Sequence, residues 1–167
     1  MDKYRLKENN KGLSLVEIII VLAIMSALAG ILLLTTSMAT DKHVNSCALK
    51  IEASLEQTRS MALGKQGAAL KLWQDGDGVW LEMFVNGTDS YGGKVNVGRP
   101  GLTVTIIKNG SPTTLDATGE VIHFSRSNGS VTDVPGVTAI SVTNGDRIYE
   151  VYIDTYTGKV TSEMTNP

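Results

Sequence analysis

The sequence predicts an α+β protein. A long N-terminal helix is expected, its first half apolar and protruding, its second half amphipathic and packed on a mainly antiparallel β-sheet head domain. Three observations predict this. Residues 13–34 form an apolar run whose only charge is Glu17. Apolar residues then recur at helical spacing as far as Ala62. From residue 67 onward the pattern becomes short alternating stretches divided by turn pairs such as Asn-Gly.

Residues 1–12 read as a basic leader, with Lys3, Arg5, Lys7 and Lys11 before Gly12. The cations sit on one side of the apolar run, which marks that side as cytoplasmic and everything after the run as outward-facing. Residues 13–34 have the length and composition of a membrane-spanning helix. A lone carboxylate in such a helix is costly, so Glu17 is a functional candidate that needs a partner. If the chain is cut after Gly12, Leu13 becomes a charged amino terminus and Glu17 stands four residues beyond it. Glu17 is then placed to meet the amino terminus of a neighbouring subunit.

The helical period continues through Val44, Cys47, Ala48, Ile51, Leu55 and Ala62, with Lys50, Glu52, Glu56, Gln57 and Lys65 on other faces. One helix from about residue 13 to 65 is expected, with Gly64 and Gly67 near its end, roughly 80 Å long at its rise per residue. Its apolar part is residues 13–34, its amphipathic part 35–66, and the β-rich head 67–167. Strands are expected at 68–73, 79–85, 102–108, 120–124, 137–142, 148–153 and 159–161. Asn109-Gly110 and Asn144-Gly145 read as tight hairpin turns, because both central residues tolerate positive φ. The Gly-rich stretch 91–101 reads as a loop.

Composition narrows the function. The 167 residues carry a net charge of −2 and one cysteine, Cys47, so no intramolecular disulfide and no cysteine-based metal site can form. His43 and His123 lack ligand-like spacing and read as ordinary surface or core residues. Asp75-Gly76-Asp77-Gly78 lacks the further oxygen ligands of a calcium loop and reads as a hairpin turn. Ser125, Ser127 and Ser130 have no nucleophile-elbow context. Cys47 reads as a buried, inert thiol. Trp73, Trp80, Tyr149, Tyr152 and Tyr156 read as core and sheet residues rather than a binding platform. Lys94, Arg99, Lys108, Arg126, Arg147 and Lys159 are scattered among acids, so nucleic acid is not an expected partner. No enzyme activity, metal or cofactor is expected.

The run Lys11-Gly12-Leu13-Ser14-Leu15-Val16-Glu17, with the apolar helix behind it, resembles the class III signal of type IV prepilins and type II secretion pseudopilins. The family usually has Phe where Leu13 stands. Residues 54–72 resemble the helix-to-first-strand passage of GspH/FimT-type minor pseudopilins at Arg59, Ser60, Ala62, Gly67, Leu70 and Leu72. Ile122, Phe124, Gly129-Ser130 and Gly158-Lys159-Val160 extend that resemblance. No proline precedes Pro100, where many major pilins have one in the apolar helix.

The resemblance implies a structural subunit of a pilus or secretion pseudopilus. Prepilin peptidase would cut between Gly12 and Leu13 and N-methylate Leu13. Other pilin or pseudopilin subunits, the inner-membrane assembly platform and membrane lipid would be the partners. The chain would sit in the cytoplasmic membrane before joining a surface filament. An ordinary signal anchor, a membrane-anchored binding module and a DNA-binding minor pilin for DNA uptake are the alternatives.

Overall fold

The computed structural model describes residues 15–64, 67–87 and 89–165, without the side chains of 30–41. The leader 1–12, the expected cleavage site at Gly12 and Leu13, and the expected helix end at Lys65 lie outside the described residues. By its contacts the chain divides into two compact units, Met1–Met38 and Ala39–Pro167, and helix α1 (Leu15–Leu63) contributes to both.

In the first unit, every described side chain of α1 from residue 15 to 29 is exposed. Apolar exposure runs from 47% at Ile18 to 74% at Leu15, on every side of the helix. Glu17 is the single charge among these side chains. The one hydroxyl, Ser26, donates to the Leu22 carbonyl at 2.8 Å, so it offers little polarity to a neighbour.

In the second unit α1 becomes one-sided. Val44, Cys47, Ala48, Ile51, Leu55 and Ala62 are buried, which is the stripe that the sequence spacing predicts. Thr58 joins it, its hydroxyl satisfied by the Ser54 carbonyl at 2.7 Å. The stripe belongs to a single hydrophobic core with residues of two antiparallel sheets.

The first sheet has the order β3-β2-β1-β6, from strands β1 (Ala68–Asp75), β2 (Gly78–Val85), β3 (Asp89–Gly98) and β6 (Glu120–Phe124). It sends Leu70, Leu72, Val79, Leu81 and Ile122 inward. The second has the order β5-β4-β7-β8-β9, from β4 (Thr103–Lys108), β5 (Ser111–Thr114), β7 (Val137–Thr143), β8 (Ile148–Ile153) and β9 (Val160–Thr165). It contributes Val104, Ile106, Ile140, Val142 and Val151. Gln74 staples the sheets: its amide donates to the Leu102 carbonyl at 2.5 Å and accepts from Val104 N–H at 3.0 Å. The Lys108–Glu120 ion pair, at 2.7 Å, is a second tie between them.

The α+β class and the strand sequence are therefore as expected, with three corrections. Residues 91–101, expected as a loop, largely form edge strand β3. Gly92 and Gly93 take positive φ (78° and 70°) where the register shifts against β2, so the glycines mark an irregularity in a strand. Strand β5 is not among the expected strands; it carries Pro112 and lies at a sheet edge, where proline costs no internal ladder bond. Strand β9 extends beyond the expected 159–161 because Ser162 to Thr165 pair with β8; Glu163 to Thr165 are exposed and show no inward alternation that would mark them in the sequence.

The turns also differ from one another. At Asn109-Gly110 both residues take positive φ, 49° and 77°, as a tight hairpin requires. At Asn144-Gly145 only Gly145 does. That loop is instead closed by the Asn144 side-chain carbonyl, which accepts from Asp146 N–H at 3.1 Å and Arg147 N–H at 2.9 Å.

Candidate functional site

Two regions bring the sequence candidates together: the apolar segment of α1 and a junction in the head.

The apolar segment is a helix with no hydrophilic face. Burying apolar surface is worth about 25 cal/mol per Å2, so a helix exposed on all sides is stable only when lipid or other helices cover it. Glu17 is exposed within this surface, without an ion-pair partner among the described residues. Any cover that excludes water must therefore bring a cation or a strong donor to it. Among the described residues no helix is long and apolar enough to cross a membrane. The expected span, 13–34, is only partly described: residues 13 and 14 and the side chains of 30–34 fall outside.

In the head, most residues singled out in the sequence have local structural roles. His123 Nδ1 lies 2.8 Å from the Asp133 carboxylate, which also accepts from His123 N–H at 2.7 Å, fixing an exposed loop. His43 Nε2 lies 3.4 Å from the Arg99 guanidinium. The Asp75 carboxylate accepts from Asp77 N–H and from the Trp80 indole, each at 2.9 Å, and so locks the β1–β2 hairpin. Ser125 and Ser127 bond to each other at 2.9 Å in a turn. Cys47 is fully buried, and burial pushes its thiol up to about 12, which keeps it protonated and unreactive.

The aromatic residues are on strands and turns but largely not in the core. Trp73 and Trp80 are cross-strand partners on the face of the first sheet turned away from it. Lys71 and Lys94 lie over their rings, at 5.6 and 5.1 Å from the centroids. Tyr149 packs against the core, whereas Tyr156 is exposed in a turn.

The second region explains residues that the resemblance marks. Arg59 Nε donates to the Thr157 carbonyl at 2.9 Å, and its guanidinium reaches Glu56 at 3.5 Å. Gly129 and Gly158 lie beneath it: a Cβ at either would come within 3.2 Å of the Arg59 side chain. A Cβ at Gly158 would also fall 1.7 Å from the Gly129 carbonyl oxygen. Only glycine permits this approach, and both residues take positive φ, 72° and 66°. Ala62, Leu70, Leu72, Ile122, Phe124 and Val160, also marked, are core residues.

Two functional-looking contacts were not foreseen. Glu56 accepts from Val160 N–H at 2.9 Å, and Glu52 accepts from the Ser162 hydroxyl at 2.6 Å. With Arg59 they lie on one helix face and tie α1 to the turn before β9 and to the edge strand itself. The i, i+4 spacing of Glu52 and Glu56 is visible in the sequence; their partners, more than a hundred residues away, are not.

Three exposed aspartates fasten turns, and this gives the head an acid limit. The Trp80 indole N–H holds the Asp75 carboxyl below its ordinary value of 3.8. Gly119 N–H and then Thr118 N–H do the same for Asp116, and Tyr156 N–H followed by Thr157 for Asp154. A carboxyl whose folded pKa is depressed contributes stability above its unfolded value, and that contribution is lost as pH falls through the folded value. Both tryptophans lie in the head, so fluorescence reports its unfolding. The urea midpoint is expected to fall as the pH drops through and below the ordinary aspartate value of 3.8. Replacing all three aspartates with Asn should flatten that decline. A midpoint that stays level in the native chain over this range would contradict the assignment.

Comparison with known proteins agrees with the N-terminal segment. Residues 7–33 match the family model described as the prokaryotic N-terminal methylation motif, a stretch that contains Gly12, Leu13 and Glu17. No curated protein matches the chain. No solved structure matches it. The long helix followed by mostly antiparallel sheet is consistent with a pilin-like fold. The motif supports a type IV pilin-like, prepilin-type role, and it implies processing by prepilin peptidase and assembly with pilin-type subunits.

Proposed function

We propose that this protein is a non-enzymatic filament subunit, a minor pilin or pseudopilin of a type IV pilus or type II secretion pseudopilus. The observation that carries the reading is the helix of residues 15–29, apolar and exposed on every side around one carboxylate, inside a matched methylation motif. Prepilin peptidase cuts between Gly12 and Leu13 and N-methylates Leu13. The subunit is held in the cytoplasmic membrane by residues 13–34, head outward, until the assembly platform transfers it to the growing filament. Apolar contact between helices supplies cohesion. Glu17 meets the amino terminus at Leu13 of a neighbour and sets the axial register.

The minor-subunit assignment draws on the GspH/FimT-like residues, which the head uses structurally: Arg59, Gly129 and Gly158 form one junction. The DNA-uptake alternative gains little support from the head's cations. Lys108 is paired with Glu120, and Lys71 and Lys94 cover tryptophan rings. The test is N-terminal mass spectrometry of the protein from its own host. A chain beginning at methylated Leu13 is expected. A mature chain that retains residues 1–12 would overturn the filament reading in favour of a simple membrane anchor.

A further inference from the structure

The head carries two exposed surfaces of opposite charge. One is the solvent face of α1, where Lys42, Asn45, Ser46, Leu49, Lys50 and Ala53 line a shallow groove of about 360 Å3. Leu49 is 46% exposed there, large for a leucine in a folded head. Neither lysine is in an ion pair among the described residues. No carboxylate stands three or four residues before or after either one in the sequence, where a local partner would sit.

The other surface is the face of the second sheet turned away from the core. Its central row runs Thr114, Thr105, Ser141, Glu150, Glu163 across five strands. The flanking rows hold Ile107, Ala139, Tyr152 and Thr161 on one side and Thr103, Thr143, Ile148 and Thr165 on the other. The residues of these rows are uncharged apart from the two glutamates, which stand directly opposite each other. Like charges at opposed positions destabilise a strand pair. Neither glutamate has a cationic partner among the described residues. Glu150 accepts from the Tyr152 phenol and, at 3.4 Å, from Thr165. Tyr152 is 40% exposed beside it.

We propose that the α1 face bearing Leu49 and Lys50 docks on the Glu150–Glu163 face of a second copy of this chain. Lys50 supplies the cation that the opposed glutamates lack, and Leu49 covers the Tyr152 ring. The two surfaces differ and lie on different elements, so the contact is heterologous. This rests on the filament reading and deepens it: two adjoining copies would be in contact through their heads as well as through their apolar helices.

The test uses the full chain in its own membrane. Two differently tagged copies are produced together, one with Lys50→Cys and the other with Glu163→Cys. Both positions are exposed, and native Cys47 is buried. Oxidation should crosslink unlike copies and not like ones. Separately, on copies with cysteines at the flanking Ser46 and Thr161, Lys50→Glu should lower crosslinking roughly tenfold, as like charges come together. Glu163→Lys on the partner should restore it. Crosslinking that is no greater between unlike copies than between like ones would overturn the proposal, as would a charge swap that fails to restore it. The N-terminal mass of the same sample keeps the readings separate. A chain processed at Leu13 without the crosslink removes this contact alone, whereas an unprocessed chain removes the filament reading.

Discussion

Gly158→Ala is expected to destabilise the head severely. Gly158 takes φ 66°, a left-handed backbone that costs an L-residue about 1–2 kcal/mol. The new Cβ would lie 1.7 Å from the Gly129 carbonyl oxygen and 2.9 Å from its carbon. Both are backbone atoms, so no side-chain rotation relieves the overlap. Forced displacement of packed structure adds about 1–3 kcal/mol. The total, about 2–5 kcal/mol, is a large share of the about 5–15 kcal/mol that holds a domain folded. The displacement also pulls at Gly158 N–H, which donates to the Asp154 carbonyl at 2.6 Å, and at the Arg59 bond to Thr157. Urea unfolding followed by tryptophan fluorescence measures it. Gly145→Ala is the matched control: φ there is also positive, at 97°, but nothing lies within 4 Å of the added Cβ. A loss for Gly158→Ala no larger than for Gly145→Ala would show that the junction with Gly129 can yield.

Glu17→Ala is expected to separate anchoring from assembly. Removing a carboxylate from an apolar helix relieves a cost of up to about 3 kcal/mol near a bilayer centre, so membrane insertion should be unchanged or improved. Assembly should suffer, because the neighbour's ammonium then enters an apolar core unpaired. Removing one partner of a buried pair costs about 3–5 kcal/mol, enough to reduce incorporation tenfold or more. The measurement is the ratio of subunit in sheared filaments to subunit in membranes, against the native chain. Glu17→Gln keeps the side chain's size but not its charge and should fail similarly. Native incorporation of either variant would remove the register role of Glu17.

The sequence by itself determined what depends on local periodicity and on short motifs. The buried stripe of Val44, Cys47, Ala48, Ile51, Leu55 and Ala62 was legible because a helix repeats every 3.6 residues whatever it packs against. The offset of Glu17 from Gly12 was legible because it is a spacing along the chain. It is also the part of the candidate site that the matched motif supports.

Only the tertiary structure decided which distant residues meet. Nothing in alternating strands says that the nine among the described residues divide into a four-stranded and a five-stranded sheet stapled by Gln74. Strand β3 was hidden because glycine lowers local strand preference, while pairing with β2 overrides that preference. Glu56 and Val160, like Arg59 with Gly129 and Gly158, are brought together only when the sheet closes on α1. Such contacts carry no period in the sequence. They depend on strand register summed across the whole head, and a shift of one residue would turn every side chain of a strand to the opposite face.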